Sequence, residues 1–503
     1  MRGPIAGIER ERKYEIGETT GIPALVGTGP VRSQAAPAEH FLDATYYDTI
    51  GFALAQKGIT LRRRTGGEDA GWHLKLPIGP DTREELAVPL GADELKVPKE
   101  LSRLVRAYTL GHKLVPIAHL KTDRFAHQLT DGEGHPVATL TDDHVTGEAG
   151  GESARLDRWR ELEIELAPEV APDVLDKLER ALTGAGAKAS PWPSKLRRLI
   201  GDRVPARKKP AKRPDAGTVV VGYLQEQAAR LRQADVGVRR DADDSVHQMR
   251  VAVRKLRSAL RTFESIVDGS ATAELRAELK WLGQRLGPAR DLEVSADLVA
   301  AGLDRLPPEL VVGPVRQYVT RYFAREQTVA RERVVETVDG KRYLRLLRSL
   351  DAVLSEPPLT AVAGKPARKG LRKPVREAVR KMERAEKASR GLSGKAREVA
   401  LHGVRKKAKR VRYALDVVRP VEKVGGWRKR VKSVLRELGQ HQDVVMSREV
   451  LYRLGIAGFG DGENTFTFGV LLGQGDGLAM GHRAGFARAW RGLRGKKRPG
   501  WVS

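Results

Sequence analysis

The stretch GIERERKYEIGE, residues 7–18, constrains the fold more than any other part of the chain. Glu9, Glu11, Lys13 and Glu15 fall at every second position. Alternate side chains of a strand share one face. One face therefore reads Glu-Glu-Lys-Glu, while the other carries Arg10 and Arg12. A half-buried strand normally hides an apolar face, and this one has none at its centre. Alone, such a strand is read as a solvated edge.

It does not stand alone. Thr60, Arg62 and Arg64 share a face in TLRRR, as do His73 and Lys75 in WHLKL. Glu161, Glu163 and Glu165 share one in ELEIE, opposite Leu162, Ile164 and Leu166. Turn-forming runs such as TGGEDAG and TDGEGHP separate the alternating segments, which argues an antiparallel sheet or barrel over residues 1–200. Helical stretches are expected around 97–109 and 171–184. Closing these strands into a barrel points the charged faces inward. A lumen holding carboxylates and cations is too costly unless it is wet or occupied. A divalent metal on the carboxylates and a polyanion on the Arg and Lys side chains would satisfy it. Lys121 and Arg124 have opposite strand parity, so one of them faces a regular tunnel, and Arg124 is favoured. Asp142 and Asp143 pose the same choice, and Asp143 enters the site set.

The basic, Pro-rich run VPARKKPAKRPDAG, residues 204–217, reads as a solvated linker. Beyond it the pattern is helical to about residue 453, and it repeats. HQMRVAVRKLRSAL (247–260) aligns without a gap with HGVRKKAKRVRYAL (402–415). LGPARDLEV (286–294) then matches LGQHQDVVM (438–446). Two motifs in the same order at nearly the same distance indicate an internal duplication. At ~100° per residue, His247, Arg250, Arg254 and Arg257 line one stripe of a helix, and His402, Arg405, Lys409 and Arg412 line its copy. Like charges at i, i+3 and i+4 repel, so such a stripe calls for a counter-anion. A basic face is usually just a solvated face; the repetition of this one favours an anion-binding role. Residues 454–503 are Gly-rich and basic and receive no structural assignment.

Composition narrows the partners. Lys and Arg total 91 against 64 Asp and Glu, a net charge of +27, which attracts polyanions. Aromatic residues make up only 5%, too few for a surface that stacks unpaired bases, so nucleic acid is disfavoured. With no cysteine there are no disulfides, thiolate metal sites or thiol nucleophiles. No GxxxxGK[ST] phosphate loop occurs. Neither a secretory leader nor an apolar run of membrane-spanning length is visible, so a soluble cytoplasmic protein without membrane partners is expected.

Residues 1–203 resemble the CYTH family, the triphosphate tunnel metalloenzymes. The resemblance rests on Glu9-x-Glu11-x-Lys13, YYDT at 46–49, LRRR at 61–64, LK at 74–75, ELEIEL at 161–166 and SKLRR at 194–198. Residues 218–453 resemble the CHAD domain, the conserved-histidine α-helical domain, on the two His-led stripes. The resemblances imply an α+β N-terminal domain, built as an eight-stranded antiparallel tunnel barrel, and an all-α C-terminal domain of two duplicated four-helix bundles. They imply metal-dependent hydrolysis of inorganic tripolyphosphate and binding of long-chain polyphosphate, with association with polyphosphate granules. The implied catalytic set is Glu9, Glu11, Lys13, Arg62, Arg64, Lys75, Arg124 and Lys195. Glu9, Glu11, Glu161, Glu163 and Asp143 would hold Mg²⁺ or Mn²⁺. His247, Arg250, Arg254, Arg257, His402, Arg405, Lys409 and Arg412 would bind polyphosphate. A barrel that binds polyphosphate without turnover, or one acting on a nucleotide or thiamine triphosphate, is the competing reading.

Overall fold

Strand parity organises the N-terminal half. The computed structural model describes residues 4–91, 95–150, 155–205, 213–495 and 499–502, and side chains outside 476–480. The chain separates into two compact units, one before and one after residues 206–212; the central part of the expected linker thus lies outside the described residues. In the first unit, eight strands form an antiparallel barrel: β1 (Ile5–Glu15), β2 (Ala38–Asp48), β3 (Thr60–Thr65), β4 (Gly71–Pro77), β5 (Thr82–Val88), β6 (Val115–Thr130), β7 (Pro136–Ala149) and β8 (Arg155–Leu166). Their spatial order is β1-β5-β4-β3-β2-β6-β7-β8, and β8 returns to β1. The closing strand divides its pairing, Ile5–Arg10 with β5 and Glu11–Glu15 with β8.

The outward parity set builds one core. Tyr14, Leu140, Leu162 and Ile164 pack against Leu175, Leu178 and Leu182 of helix α1 (Val174–Gly184). The apolar residues of α1 recur at helical spacing, so it presents a single greasy stripe to the barrel wall. Each fully buried leucine contributes about 1.5–3 kcal/mol.

The inward set builds another core at one end of the barrel. There helix α2 (Lys195–Ile200) enters, its first turn capped by Ser194, whose hydroxyl accepts from Arg197 N at 3.1 Å. Leu196, Leu199 and Ile200 pack on Ala44, Tyr46, Ala118, Leu120, Val145 and Trp159. Gly147 makes room for this plug: a Cβ there would stand 3.0 Å from Leu199 Cδ2 and 3.3 Å from the Trp159 ring. The short helices Lys99–Leu104 and Arg106–Thr109 fall within the expected 97–109 stretch.

The second unit is all helical, with ten α-helices among its described residues: α3 (Ala216–Arg240), α4 (Ser245–Thr262), α5 (Ala273–Arg285), α6 (Gly287–Asp304), α7 (Val315–Asp339), α8 (Lys341–Ser355), α9 (Ala367–Ser389), α10 (Gly394–Val418), α11 (Gly425–Gly460) and α12 (Phe466–Arg494). The duplication is visible in the packing. Helix α3 pairs with α4 as α9 pairs with α10, and α4 meets α10 across the middle. The copies differ at one instructive point. The first breaks between α5 and α6, just before Pro288, which sits at the start of α6 where a missing N–H costs nothing. The second has Gln440 there and runs on as one helix of 36 residues. The segment left unassigned from the sequence is largely helical, since α12 returns along α11.

Candidate functional site

Inside the barrel lies a cavity of about 110 Å³ whose walls come from all strands except β7, and from the start of α2. Glu9, Glu11 and Lys13 line it from β1, Arg62 and Arg64 from β3, Lys75 from β4, Arg124 from β6, Glu163 from β8 and Lys195 from α2. Register settles the two choices of parity. Arg124 is the cross-strand partner of Asp143 and faces inward, whereas Lys121 is exposed on the outer face. Asp142 also points outward, where both its oxygens accept from Arg160, at 2.8 and 2.9 Å.

The inner charges are cross-paired. Lys75 Nζ reaches Glu9 Oε2 at 2.6 Å. Arg83 Nη1 donates to Glu11 Oε1, and Lys13 Nζ to Glu163 Oε1. Arg124 grips Asp143 through Nε and Nη2 at 2.8 and 2.7 Å and touches Glu163 Oε2 at 3.1 Å. Lys195 Nζ sits among Glu163 at 2.5 Å, Asp143 at 2.8 Å and Glu161 at 3.0 Å. Glu161 also accepts from Trp159 Nε1 at 2.6 Å. Glu161 and Asp143 stand behind Lys195 and do not line the cavity. Burial opposes ionisation of Glu163, but Lys13, Lys195 and Arg124 hold its carboxyl well below the usual range. At Glu9 burial wins over Lys75, and the contact with Glu85 adds to it, so the carboxyl is pushed up to about 7.

Several lining residues escape the sequence reading. Arg83 and Glu85 of β5 face inward and carry no assignment from the sequence; Tyr46, within the YYDT run, and Glu165, on the shared glutamate face of β8, line the cavity although neither belongs to the implied site set. The Arg83-x-Glu85 alternation was the available signal. Of YYDT, only Tyr46 reaches the cavity. Asp48 instead organises the following turn, accepting from the amides of Thr49, Leu54 and Ala55 at 2.6, 2.9 and 2.9 Å. His73 is buried behind the wall, its Nδ1 2.9 Å from Glu85 Oε1 and its Nε2 2.9 Å from the Asp69 carbonyl.

Two observations bear on what the cavity accommodates. Nε of Arg62 and of Arg64 are buried and find no acceptor among the described residues, so the cationic wall retains hydrogen-bonding capacity for an anion. Glu9, Glu11, Glu163 and Glu165 offer hard carboxylate oxygens from the adjacent strands β1 and β8, the donor type Mg²⁺ and Mn²⁺ select. Among the described residues no three carboxylate or imidazole groups already stand as a finished metal cage; Glu9, Glu11 and Glu163 are engaged by lysine and arginine. The donor chemistry fits a divalent ion that displaces those cations.

In the helical unit, α4 and α10 bring the two His-led stripes together. Arg250 Nη1 donates to the Gly287 carbonyl at 3.1 Å and to Asp291 Oδ1 at 2.8 Å. The second copy repeats the arrangement, with Arg405 Nη2 lying 3.9 Å from the place a Cβ of Gly439 would take, the same distance as Arg250 Nη2 from Gly287. His402 Nδ1 is 2.7 Å from Gln442 Oε1. His247 Nδ1 and the Nε atoms of Arg254, Arg405 and Arg412 are buried with no acceptor among the described residues. Lys409 sits among Arg405, Arg254, Arg412 and Arg250; burial, then these charges, push its ammonium down to about 7. Arg257 is the outermost of the stripe and is exposed.

Comparison with known proteins agrees with this division. A family model described as the CYTH domain matches residues 7–200, and one described as the CHAD domain matches residues 222–452. Two uncharacterized proteins of Mycobacterium tuberculosis are 37% identical over 507 residues, covering 97% of this chain and 97% of each of them. Among solved structures, the CHAD domain of the plant Ricinus communis is similar at a TM-score of 0.47 and 23% identity, covering 59% of this chain and 98% of that one. HpAC1 from Hippeastrum, described as having a dominant triphosphatase activity, is similar at 0.24 and 17%, covering 39% and 97%. The chain thus carries a CYTH domain followed by a CHAD domain and belongs to the proteins built on that fusion.

Proposed function

We propose that the protein is a metal-dependent inorganic triphosphatase whose helical unit binds polyphosphate. The observation that carries the reading is the mixed lining of the barrel cavity: glutamates concentrated on β1 and β8, arginines and lysines on β3, β4 and β6, with Lys13 of β1 and the Arg83–Glu85 alternation of β5 joining them. Phosphoryl transfer asks mainly for positioning and charge neutralisation, and this lining supplies both. Arg62, Arg64, Lys75, Arg124 and Lys13 would hold the phosphate oxygens, and Glu9, Glu11, Glu163 and Glu165 would hold the divalent ion. When bound, that ion supplies charge neutralisation and an acidified water. In the reaction a water oxygen bonds to the terminal phosphorus, the bridging P–O bond breaks, pyrophosphate departs with both electrons of that bond, and one proton of the water passes to the departing pyrophosphate. Cavity size favours an inorganic substrate. At about 110 Å³ it is well below the roughly 300–1,000 Å³ of sites that enclose drug-sized ligands, and Tyr46 is its one aromatic lining residue.

The test is phosphate release from tripolyphosphate, ATP and thiamine triphosphate, each with Mg²⁺, with Mn²⁺ and with chelator. Turnover of tripolyphosphate that requires metal and exceeds that of the organic triphosphates is expected. Binding without turnover would leave a polyphosphate-binding barrel, and faster hydrolysis of ATP or thiamine triphosphate would reassign the substrate.

A further inference from the structure

The two copies in the helical unit are not electrostatically equivalent on their outer flanks. The gapless alignment of α4 with α10 pairs residues 155 apart, as in His402 and His247. It places Asp416 where the first copy has Arg261, and Ala252 where the second has Lys407. Both differences fall on one side of the α4–α10 crossing. There the last turns of α4 bring Arg257 and Arg261 beside Lys407 and Arg410 of α10, and α9, packed on α10 and touching α4, adds Lys381. The mirror position holds Lys255, Arg412, Ala252 and Asp416, and the neighbouring Arg230 is bound to Glu226 at 2.8 Å. The mirror flank thus carries Asp416, held by Arg428 at 2.6 Å, in place of Arg261, and has no counterpart of Lys407, so the flank with Arg261 and Lys407 is the more cationic.

The cationic flank has little internal compensation. Among the described residues, Arg257, Lys381, Lys407 and Arg410 make no salt bridge. Glu264 is the facing carboxylate, and Arg261 and Arg276 already approach it at 3.6 and 3.3 Å. Burial and mutual repulsion depress the ionisation of Arg410 and Lys407. The flank is also continuous with the central stripe, because Arg257 adjoins Arg254 and Arg254 faces Arg405 and Lys409. From Arg250 to Arg261, 11 residues along α4, the path runs about 16 Å.

Building on the polyphosphate reading of the helical unit, we propose that Arg261, Lys381, Lys407 and Arg410 form a second polyanion subsite. It receives the continuation of a chain already lying on the central stripe. The helical unit then discriminates by chain length: a short chain fills the stripe alone, and a long one gains the flank as well.

The test uses the full-length protein in chelator, so that the barrel does not turn over the ligand. The triple variant Arg261→Gln/Lys407→Gln/Arg410→Gln and the stripe variant Arg250→Gln/Lys409→Gln are titrated with long-chain polyphosphate and with tripolyphosphate, with circular dichroism as a check of folding. Short-chain binding elsewhere cancels in the comparison with wild type. For the triple variant, long-chain affinity should fall by about tenfold or more, with a shallower salt dependence, and short-chain affinity should change by less than about twofold. Arg410→Lys, which keeps the charge, should retain the long-chain advantage. Equal loss for both chain lengths, no loss, or collapse in Arg410→Lys would overturn the subsite. Full long-chain affinity in the stripe variant would instead overturn the underlying reading of the unit.

Discussion

Lys409 offers a quantitative test of the basic stripes. Its ammonium is ordinary in the unfolded chain, at 10.5, and stands at about 7 in the folded one. The folded state therefore binds fewer protons between these values, and stability rises with pH across that window and is flat below it. At about 1.4 kcal/mol per unit, the depression corresponds to roughly 3 kcal/mol at neutral pH after allowing for solvent screening of a partly exposed group. A polyanion on the stripe reverses the balance by favouring the charged form. Binding at pH 8–9 should then take up close to one proton, and affinity should fall by up to about tenfold per pH unit above 7. Calorimetric titration with long-chain polyphosphate, in buffers of different ionisation enthalpy, counts the proton directly. Lys409→Arg stays charged throughout: it should abolish the uptake, bind more tightly than wild type at pH 9 and be less stable there. Below pH 6.5 His247 and His402, both held down by burial, add a separate acid-side gain. Wild-type affinity that is constant from pH 7 to 9, or an unchanged slope in Lys409→Arg, would refute the reasoning.

Further outcomes are expected in the barrel. Glu9→Gln and Glu11→Gln should each abolish metal-dependent phosphate release while circular dichroism stays native, because the amide keeps the shape but loses the anionic oxygen. Asp143→Asn should cost about 3–5 kcal/mol in chemical denaturation, since it leaves Arg124 and Lys195 facing an uncharged group in a fully buried site. Asp142→Asn, one residue away, breaks an outward pair with Arg160; it should cost about 1–3 kcal/mol and leave the rate per folded molecule unchanged. Residues 1–203 produced alone should retain triphosphatase activity, because every cavity-lining residue precedes the 206–212 segment; a folded but inactive fragment at saturating metal would contradict that.

Much of the cavity was legible because strand parity is written directly in sequence. Glu9-x-Glu11-x-Lys13, Arg62-x-Arg64 and Glu163-x-Glu165 need only an alternating backbone to share a wall. What alternation cannot decide is a doublet. Asp142 and Asp143 are chemically identical neighbours, and only the pairing of β7 with β6 turns one toward Arg124. On β5 the run Arg83-Glu84-Glu85 puts a carboxylate on both faces, which blurred its period and hid two lining residues. Helix α12 was illegible for another reason. Its many glycines each lower helix propensity by about 1 kcal/mol, and the fold overrides this through contacts made far away in sequence. Phe468 and Leu471 bury against α7 and α11, and Phe486, Trp490 and Leu493 recur at i, i+4 and i+7 and are buried.

Helix α2 fills one end of the barrel with Leu196, Leu199 and Ile200, so a ligand of the cavity would find no passage past that end. Under the proposed hydrolysis, a reactant and both its fragments would share the entrance left to them, and the larger fragment would have to vacate before the next molecule enters. A long polymer could present only its terminus to such a dead end, and the depth from the mouth to Lys195 would then act as a ruler for where it is cut.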